Sequence, residues 1–425
     1  MLLLSLLGLI GLVFISYHLG GRTFFNPAVG FCSAWVIGLF TLLVADGMFW
    51  TVSPETLGII LFGAAAFSLG SLLAYDRVPK FTVLIHEPPQ SIITLMVVIP
   101  IVAFPFYVRW VSQLVADQPD RFFLAATRDV FAHTIEEAAG GTLSYTIFNN
   151  VIALAYFAAL IAWCERSKHQ RRAFFALVTA IAYFLPAGRS PIIEIIAALP
   201  CIQWLRGEKL HWKTLIVFAL CGTLLFGTLA VLMHQNGGGG ESGFDNVKYA
   251  ASEIVFYLGS PIVCFDRIIQ HTDEATSPSR GIGIAFLEFA KKIGFDVTVP
   301  SRQPYAMVST GPGNLGAGNV FTAYFEYIDY GWPLCFVLLA IQGFLIGALF
   351  KVARSGSRPA ILVYAFVFSC LILSAFSEFL MLSLNPLTKF WIVCLMLYSL
   401  PKFSVSLRRR SRKIAEGLRL PSAVN

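Results

Sequence analysis

Charge is scarce in this 425-residue chain: Asp, Glu, Lys and Arg make up 13%, against 57% hydrophobic residues and a mean hydropathy of +0.72. That scarcity excludes a soluble globular domain, which would lack the polar surface to stay in water, and leaves the bilayer as the natural solvent. Cysteine is sparse too, with eight in all and none in a CxxC or Cys/His ligand spacing, so neither a disulfide framework nor a structural zinc site is expected. Cys32, Cys164, Cys201, Cys221, Cys370 and Cys394 fall in or beside apolar runs, where a thiol acts as a small apolar group. The chain has no GxxxxGK[ST] loop and no clustered carboxylates, which argues against a nucleotide-binding loop and for chemistry without a bound metal or cofactor.

What is abundant is apolar sequence in runs of about 20 residues, the length needed for a helix to cross roughly 30 Å of hydrocarbon. The runs predict an all-α polytopic membrane protein with about eleven transmembrane helices, at 1–19, 29–46, 57–75, 91–108, 146–164, 173–187, 190–205, 214–233, 332–350, 359–380 and 386–401. Strands of a closed barrel would be half that length. Met1 to Leu19 has no basic n-region and leads straight into a second apolar run, so it reads as a retained helix rather than a signal peptide. The whole of 1–425 reads as one integral membrane domain.

Basic residues are held on the cytoplasmic side during insertion. Arg22, the clusters at 77–80, 166–172, 206–213 and 351–358, and the tail 402–425 place 20 of the 31 Lys and Arg on one side, whereas 19 of the 24 acidic residues fall on the other. The N-terminus is therefore expected outside and the C-terminus inside. The net charge of +7 is a topology signal rather than a nucleic-acid footprint. In the tail, Arg408-Arg409-Arg410-Ser411-Arg412-Lys413 reads as a topology anchor or a site for anionic lipid.

Two outer segments, 109–145 and 234–331, are too long to be mere connectors, and long loops carry function more often than short ones. The second opens on Gly237-Gly238-Gly239-Gly240 and continues from Asp245 to Ile269 as a helix broken at Gly259 and Pro261, lying along or dipping into the membrane surface. The run Thr310-Gly311-Pro312-Gly313-Asn314-Leu315-Gly316 reads either as a Gly-rich turn or as backbone able to approach an anion closely. Arginines placed outside against the topological preference are candidate phosphate ligands, because a guanidinium binds phosphate oxygens in a bidentate way. They are Arg128, Arg189, Arg267 and Arg302, with Arg109, Arg121 and Arg280 weaker. Arg189 sits in the tight turn Ala187-Gly188-Arg189-Ser190-Pro191 between two short spans, where it either holds a ligand phosphate or pairs with Glu194.

Several stretches resemble one family, the bacterial oligosaccharide repeat-unit polymerases of the Wzy type. Gly318-Asn319-Val320-Phe321-Thr322 followed by Tyr327-Ile328-Asp329-Tyr330-Gly331 is similar to the family's Asn-Val-Tyr-Thr and Tyr-x-Asp-Phe-Gly segments; Gly188-Arg189-Ser190, Tyr257-Leu258-Gly259-Ser260-Pro261 and Asn26-Pro27-Ala28-Val29 also resemble family segments. The interval from Arg302 to Gly313 is similar to the Arg-x10-Gly pattern of some of its outer loops.

The resemblance implies a GT-C-like fold and transfer of a glycan from undecaprenyl pyrophosphate to the end of an incoming lipid-linked repeat unit, beside a chain-length regulator. Such a donor needs cations to stabilise the departing pyrophosphate, a task for the outer arginines, and the acceptor hydroxyl needs a base. Asp266, Glu253 and Asp329 are the candidate bases, each also open to a structural role, with His271 and His234 more remote. Asn319 and Thr322 are one helical turn apart and could face the sugar or cap a helix. Tyr305, Tyr324, Tyr327 and Trp332 could stack on sugars or mark the membrane interface. The competing readings are an O-antigen ligase, which uses the same donor, a polysaccharide transporter or flippase, and a structural partner of such machinery.

Overall fold

The computed structural model describes residues 1–45, 47–78, 87–116, 126–127, 143–167, 169–185, 190–210, 243–270, 308–312, 316–317, 331–376 and 384–398, with single positions within 213–228 and 287–297 and residues 324 and 380. The described chain is helical apart from one two-residue ladder, and it is membrane-embedded. In chain order the helices are α1 (Leu2–Leu19), α2 (Pro27–Val44), α3 (Pro54–Arg77), α4 (Gln90–Leu114), α5 (Leu143–Cys164), α6 (Gln170–Phe184), α7 (Ser190–Leu205), α8 (Gly243–Ile269), α9 (Trp332–Arg354), α10 (Arg358–Ile372) and α11 (Leu384–Tyr398). Six of them (α1 to α5 and α9) are long and apolar enough to cross a membrane. The others include α7, α10 and α11, apolar but shorter, and α8 of the large loop.

Ten of the runs read from the sequence correspond to described helices. For the eleventh, 214–233, the described positions between 216 and 228 are helical, and Ile216, Val217, Leu220 and Leu224 are exposed. Two helix ends differ from the sequence reading by more than four residues. Helix α4 continues past residue 108 through Arg109 to Leu114, despite Pro100 and Pro105 inside it. Helix α10 stops at Ile372 rather than running to 380, because Leu373, Ser374 and Phe376 turn their N–H groups onto carbonyls three residues back, a tightened helix end.

The tightest seam in the bundle joins α3 to α9. It is built from small residues: a Cβ on Gly343 would lie 2.1 Å from the Phe67 carbonyl oxygen, one on Gly347 2.5 Å from that of Ser71, and one on Gly70 1.9 Å from that of Ala340. Gly343 and Gly347 form the small-xxx-small spacing that lets helices approach backbone to backbone in a bilayer, where association rests on close packing rather than on water exclusion.

The connections gather at two opposite ends. At the basic end, Glu165 is buried and accepts two bonds from Arg358 (2.7 and 2.6 Å) and one from the Tyr398 hydroxyl (2.9 Å), tying the end of α5 to the start of α10 and the end of α11. Arg166 pairs with Glu208, Lys351 donates to the Tyr75 carbonyl, and Arg354 donates to the Tyr75 hydroxyl. A Cβ on Gly21 would also strike Arg354, so the Arg22 turn belongs here. Among the described residues, Arg22, Arg166, Lys351, Arg354 and Arg358, counted on one side by charge, thus converge at one end of the helices.

Candidate functional site

The opposite end is organised by α8. From its sequence this helix reads as an interfacial segment broken at Gly259 and Pro261; in the structure it is continuous through both. Proline removes one backbone donor, yet the helix runs on, with Gly259 pressed against Phe49 and Leu42 and Ile262 over Gly38 of α2. Residues 259–266 are buried, so the second half of α8 enters the bundle rather than lying on a membrane surface.

Asp266 closes that insertion. Its Oδ1 accepts from the Ser53 N–H (3.0 Å), the Ser53 hydroxyl (2.6 Å) and the Thr56 hydroxyl (2.7 Å), and the residue is only 4% exposed. Ser53 is the N-cap of α3, so the carboxylate sits on the positive end of that helix dipole and satisfies donors that the helix itself cannot. Gln270, one turn further, donates to Ser53 (3.1 Å) and to Glu55 (3.3 Å). Glu55 and Gln270 have no part in the sequence reading, and their meeting with Asp266 is legible only in three dimensions.

Asp266 is thereby given a holding role. Asp266→Ala, which orphans buried donors on Ser53 and Thr56, should cost about 1–3 kcal/mol of stability. Asp266→Asn keeps an acceptor and should retain most of the protein's activity. Activity falling by roughly a hundredfold or more in folded Asp266→Asn would instead mark Asp266 as a general base.

Glu253 and Asp266 share α8 at a separation of 13 residues, about 20 Å along a helix, so they cannot serve one reacting centre. Arg267 is half-buried next to Asp266 and already engaged, and Glu253 is half-buried and engaged as well. Arg128, Arg189, Arg302, Tyr305, Asn319, Thr322 and Asp329 lie outside the described residues, as do His234 and His271. Among the described residues no group of three His, Cys, Asp or Glu is placed to hold a metal ion.

The aromatic candidates divide. Trp332 opens α9 and is 53% exposed, as an interfacial residue would be. Tyr324, weighed from sequence as a sugar platform or an interfacial ring, is neither. Its side chain is wholly buried, edge-on to Trp35 (ring centroids 4.6 Å apart) and 6.0 Å from Phe265 of α8, and its hydroxyl donates to the Ile60 carbonyl (2.7 Å). The ring fits only because α3 carries glycine beneath it: a Cβ on Gly63 would lie 1.9 Å from Tyr324 Cε1. Gly63→Ala should therefore destabilise the protein by about 1–3 kcal/mol, an overpacking cost that Tyr324→Leu in the same chain partly relieves. Thermal stability of the two variants, each measured in detergent, checks the coupling; equal losses in the presence and absence of Tyr324 would contradict it.

The Gly-rich run is a turn in its described part. Val308–Ser309 pairs antiparallel with Gly316–Ala317, and the described residues 310–312 follow the first of these strands. Trp50 donates from its backbone to the Thr310 carbonyl (2.9 Å) and from its indole to the Ser309 hydroxyl (3.4 Å). Gly311 packs on the backbone of Met48, where a Cβ would lie 2.1 Å from a carbonyl oxygen. Asn26, from another of the resembling segments, caps α2 by accepting from the Ala28 N–H (2.9 Å) while its amide donates to the Gly20 carbonyl (3.1 Å). No protein-family model, curated protein or solved structure matches the chain.

Proposed function

We propose that this protein polymerises oligosaccharide repeat units carried on undecaprenyl pyrophosphate, at the outer face of a bacterial inner membrane. The observation that carries the reading is the convergence of sequence-distant resembling stretches: Tyr324, from the segment most similar to the Wzy-type polymerases, packs against Phe265, which follows the α8 segment Tyr257–Pro261 by one helical turn. Phe265 lies beside Asp266 near the start of α3, away from the end that carries the buried Glu165–Arg358 pair, and Tyr324 lies about two turns further along α3, over Ile60 and Gly63. If the basic end faces the cytoplasm, as the retention of Lys and Arg requires, that convergence faces outward. The eleven-span, GT-C-like arrangement then has a periplasmic N-terminus and a cytoplasmic tail.

In the proposed reaction the acceptor hydroxyl attacks the anomeric carbon of the donor glycan. The bond from that carbon to the pyrophosphate oxygen breaks with its electron pair going to the oxygen, a carboxylate takes the hydroxyl proton, and undecaprenyl pyrophosphate departs with one negative charge more than the two of the diester. Arg128, Arg189, Arg267 and Arg302 are assigned to the leaving pyrophosphate, Asp329 to the proton, with Glu253 in its place only in a centre without Arg267, which lies about 21 Å from it along α8, and Tyr305, Asn319 and Thr322 to the glycan.

Tags placed near Gly239 and after Asn425 should report opposite sides of the membrane; finding both on one side would sink the eleven-span arrangement. Cells lacking the protein should accumulate single lipid-linked repeat units and lose polymer. A ligase would leave polymer intact on its lipid carrier, so that outcome, or unchanged polymer on the cell surface, contradicts the proposal.

A further inference from the structure

At the basic end a groove of about 850 Å³ runs between the first turns of α4 and α6. Its mouth is polar and cationic, with Gln90, Thr94, His169, Arg171 and Arg172, and none of its lining residues is acidic. Further along the same two helices the lining turns apolar at Val97, Val98, Ile101 and Phe175, and Val98, Ile101 and Phe175 are 43%, 40% and 55% exposed on the outside of the bundle. From Gln90 to Ile101 the wall is about 16 Å long. Such a gradient, from cations at the helix ends to aliphatic side chains facing hydrocarbon, matches a phospholipid lying with its headgroup at the mouth and an acyl chain down the wall.

Two further features select an anionic headgroup. Helices α4 and α6 both begin at the mouth, and neither N-cap residue, Pro89 or His169, supplies a side-chain cap. Their first-turn N–H groups are donors that an α-helix leaves for an external acceptor, on the positive end of each dipole. Arg172 is fixed in place by donating to the Gln90 side-chain oxygen (2.6 Å) and to the Thr94 hydroxyl (3.3 Å), while its buried Nε has no acceptor. The adjacent Arg171 is exposed at the mouth. A phosphate diester would supply acceptor oxygens to the exposed Arg171 guanidinium and to the open helix ends at once, in the positive field of the fixed Arg172.

We propose that this groove is a binding site for an anionic phospholipid. The inference stands apart from glycosyl transfer, since it needs only that the protein is membrane-embedded.

The test is native mass spectrometry of the full-length protein in detergent, titrated with phosphatidylglycerol and, separately, with phosphatidylcholine. The unmodified protein should retain phosphatidylglycerol several-fold more strongly. Arg171→Gln should lower that retention about fivefold, the effect of one basic group at a membrane surface. Lys209→Gln, an exposed basic residue of the same end outside the groove, should leave it unchanged. Arg172 is avoided because it also joins α6 to α4; Val98→Trp instead fills the wall from its lipid-facing side and should reduce retention while the protein stays folded. Equal retention of the two lipids, a loss in Lys209→Gln as large as in Arg171→Gln, or unchanged retention in both groove variants would overturn the proposal. So would stabilisation by inorganic phosphate alone equal to that given by phosphatidylglycerol, because the occupant would then be a free anion.

Discussion

Gly343→Val is expected to be among the most destabilising single substitutions in the protein, lowering stability by about 3 kcal/mol, the upper part of the usual overpacking range. A Cβ at this position would meet the Phe67 carbonyl oxygen at 2.1 Å and its carbonyl carbon at 2.9 Å, so the obstacle is backbone on the facing helix and no rotamer change relieves it. Gly70→Val should behave alike from the other side of the seam, where the Ala340 carbonyl oxygen stands 1.9 Å from the added carbon. The helices would have to separate, and in a bilayer nothing but packing and hydrogen bonding brings them back. Gly58→Ala on the same helix is the control: nothing lies within 4 Å of its Cβ, and alanine is the better helix former, so that change should be neutral or mildly stabilising. Thermal melts of the three variants in one detergent check the ranking; a Gly343→Val protein as stable as Gly58→Ala would show that α3 and α9 are not joined this way.

The second large effect is on activity. If the Arg189 guanidinium holds the pyrophosphate as charge builds on the leaving oxygen, Arg189→Ala should lose roughly a hundred- to thousandfold in rate, the range for removing one such charged contact. The protein should still insert and fold. Arg189→Lys keeps the charge without the planar fork and should fall between. Glu194 provides the competing explanation, since it is 7% exposed on α7, five residues from Arg189. Were neutralising Glu194 the whole purpose of Arg189, the single change would lower the amount of folded protein, and Arg189→Gln combined with Glu194→Gln would restore both amount and activity. An active double variant would remove Arg189 from the phosphate site.

The helix positions were legible because apolar runs of spanning length are the strongest pattern a sequence offers, and the basic clusters marked which helix ends belong together. Glu165, Arg358 and Tyr398 meet as that pattern implies, though no spacing announces that they form one buried cluster. Helix α8 was legible as a helix, but not its continuity through Gly259 and Pro261, nor which of its two readings, along the membrane or dipping into it, applies. Its mixture of Asp, Glu, Lys and apolar residues suits a membrane surface, and only the packing of Gly259 and Ile262 against α2 and the saturated Oδ1 of Asp266 shows that its second half is internal. Tyr324 was misread for a related reason: aromatic residues crowd membrane interfaces, so one lying near Trp332 gives no sign that it faces a glycine more than 250 positions away. The Gly343–Gly347 seam carries a recognisable spacing, yet 34 glycines in the chain dilute it. The candidate site is read from residue types alone, most of them outside the described residues, and Asp266 shows the limit of that kind of reading, since a carboxylate beside an arginine in an outer loop describes a cap as well as a base.

The most direct test of the proposed activity is reconstitution. Purified protein in lipid vesicles is given lipid-linked repeat units as the sole sugar source, and both glycan length and released undecaprenyl pyrophosphate are measured. The account predicts a ladder of polymers spaced by one repeat unit, with one undecaprenyl pyrophosphate released for each unit added. Folded protein that leaves the units unjoined, or that extends them only onto a lipid A core acceptor, would contradict it.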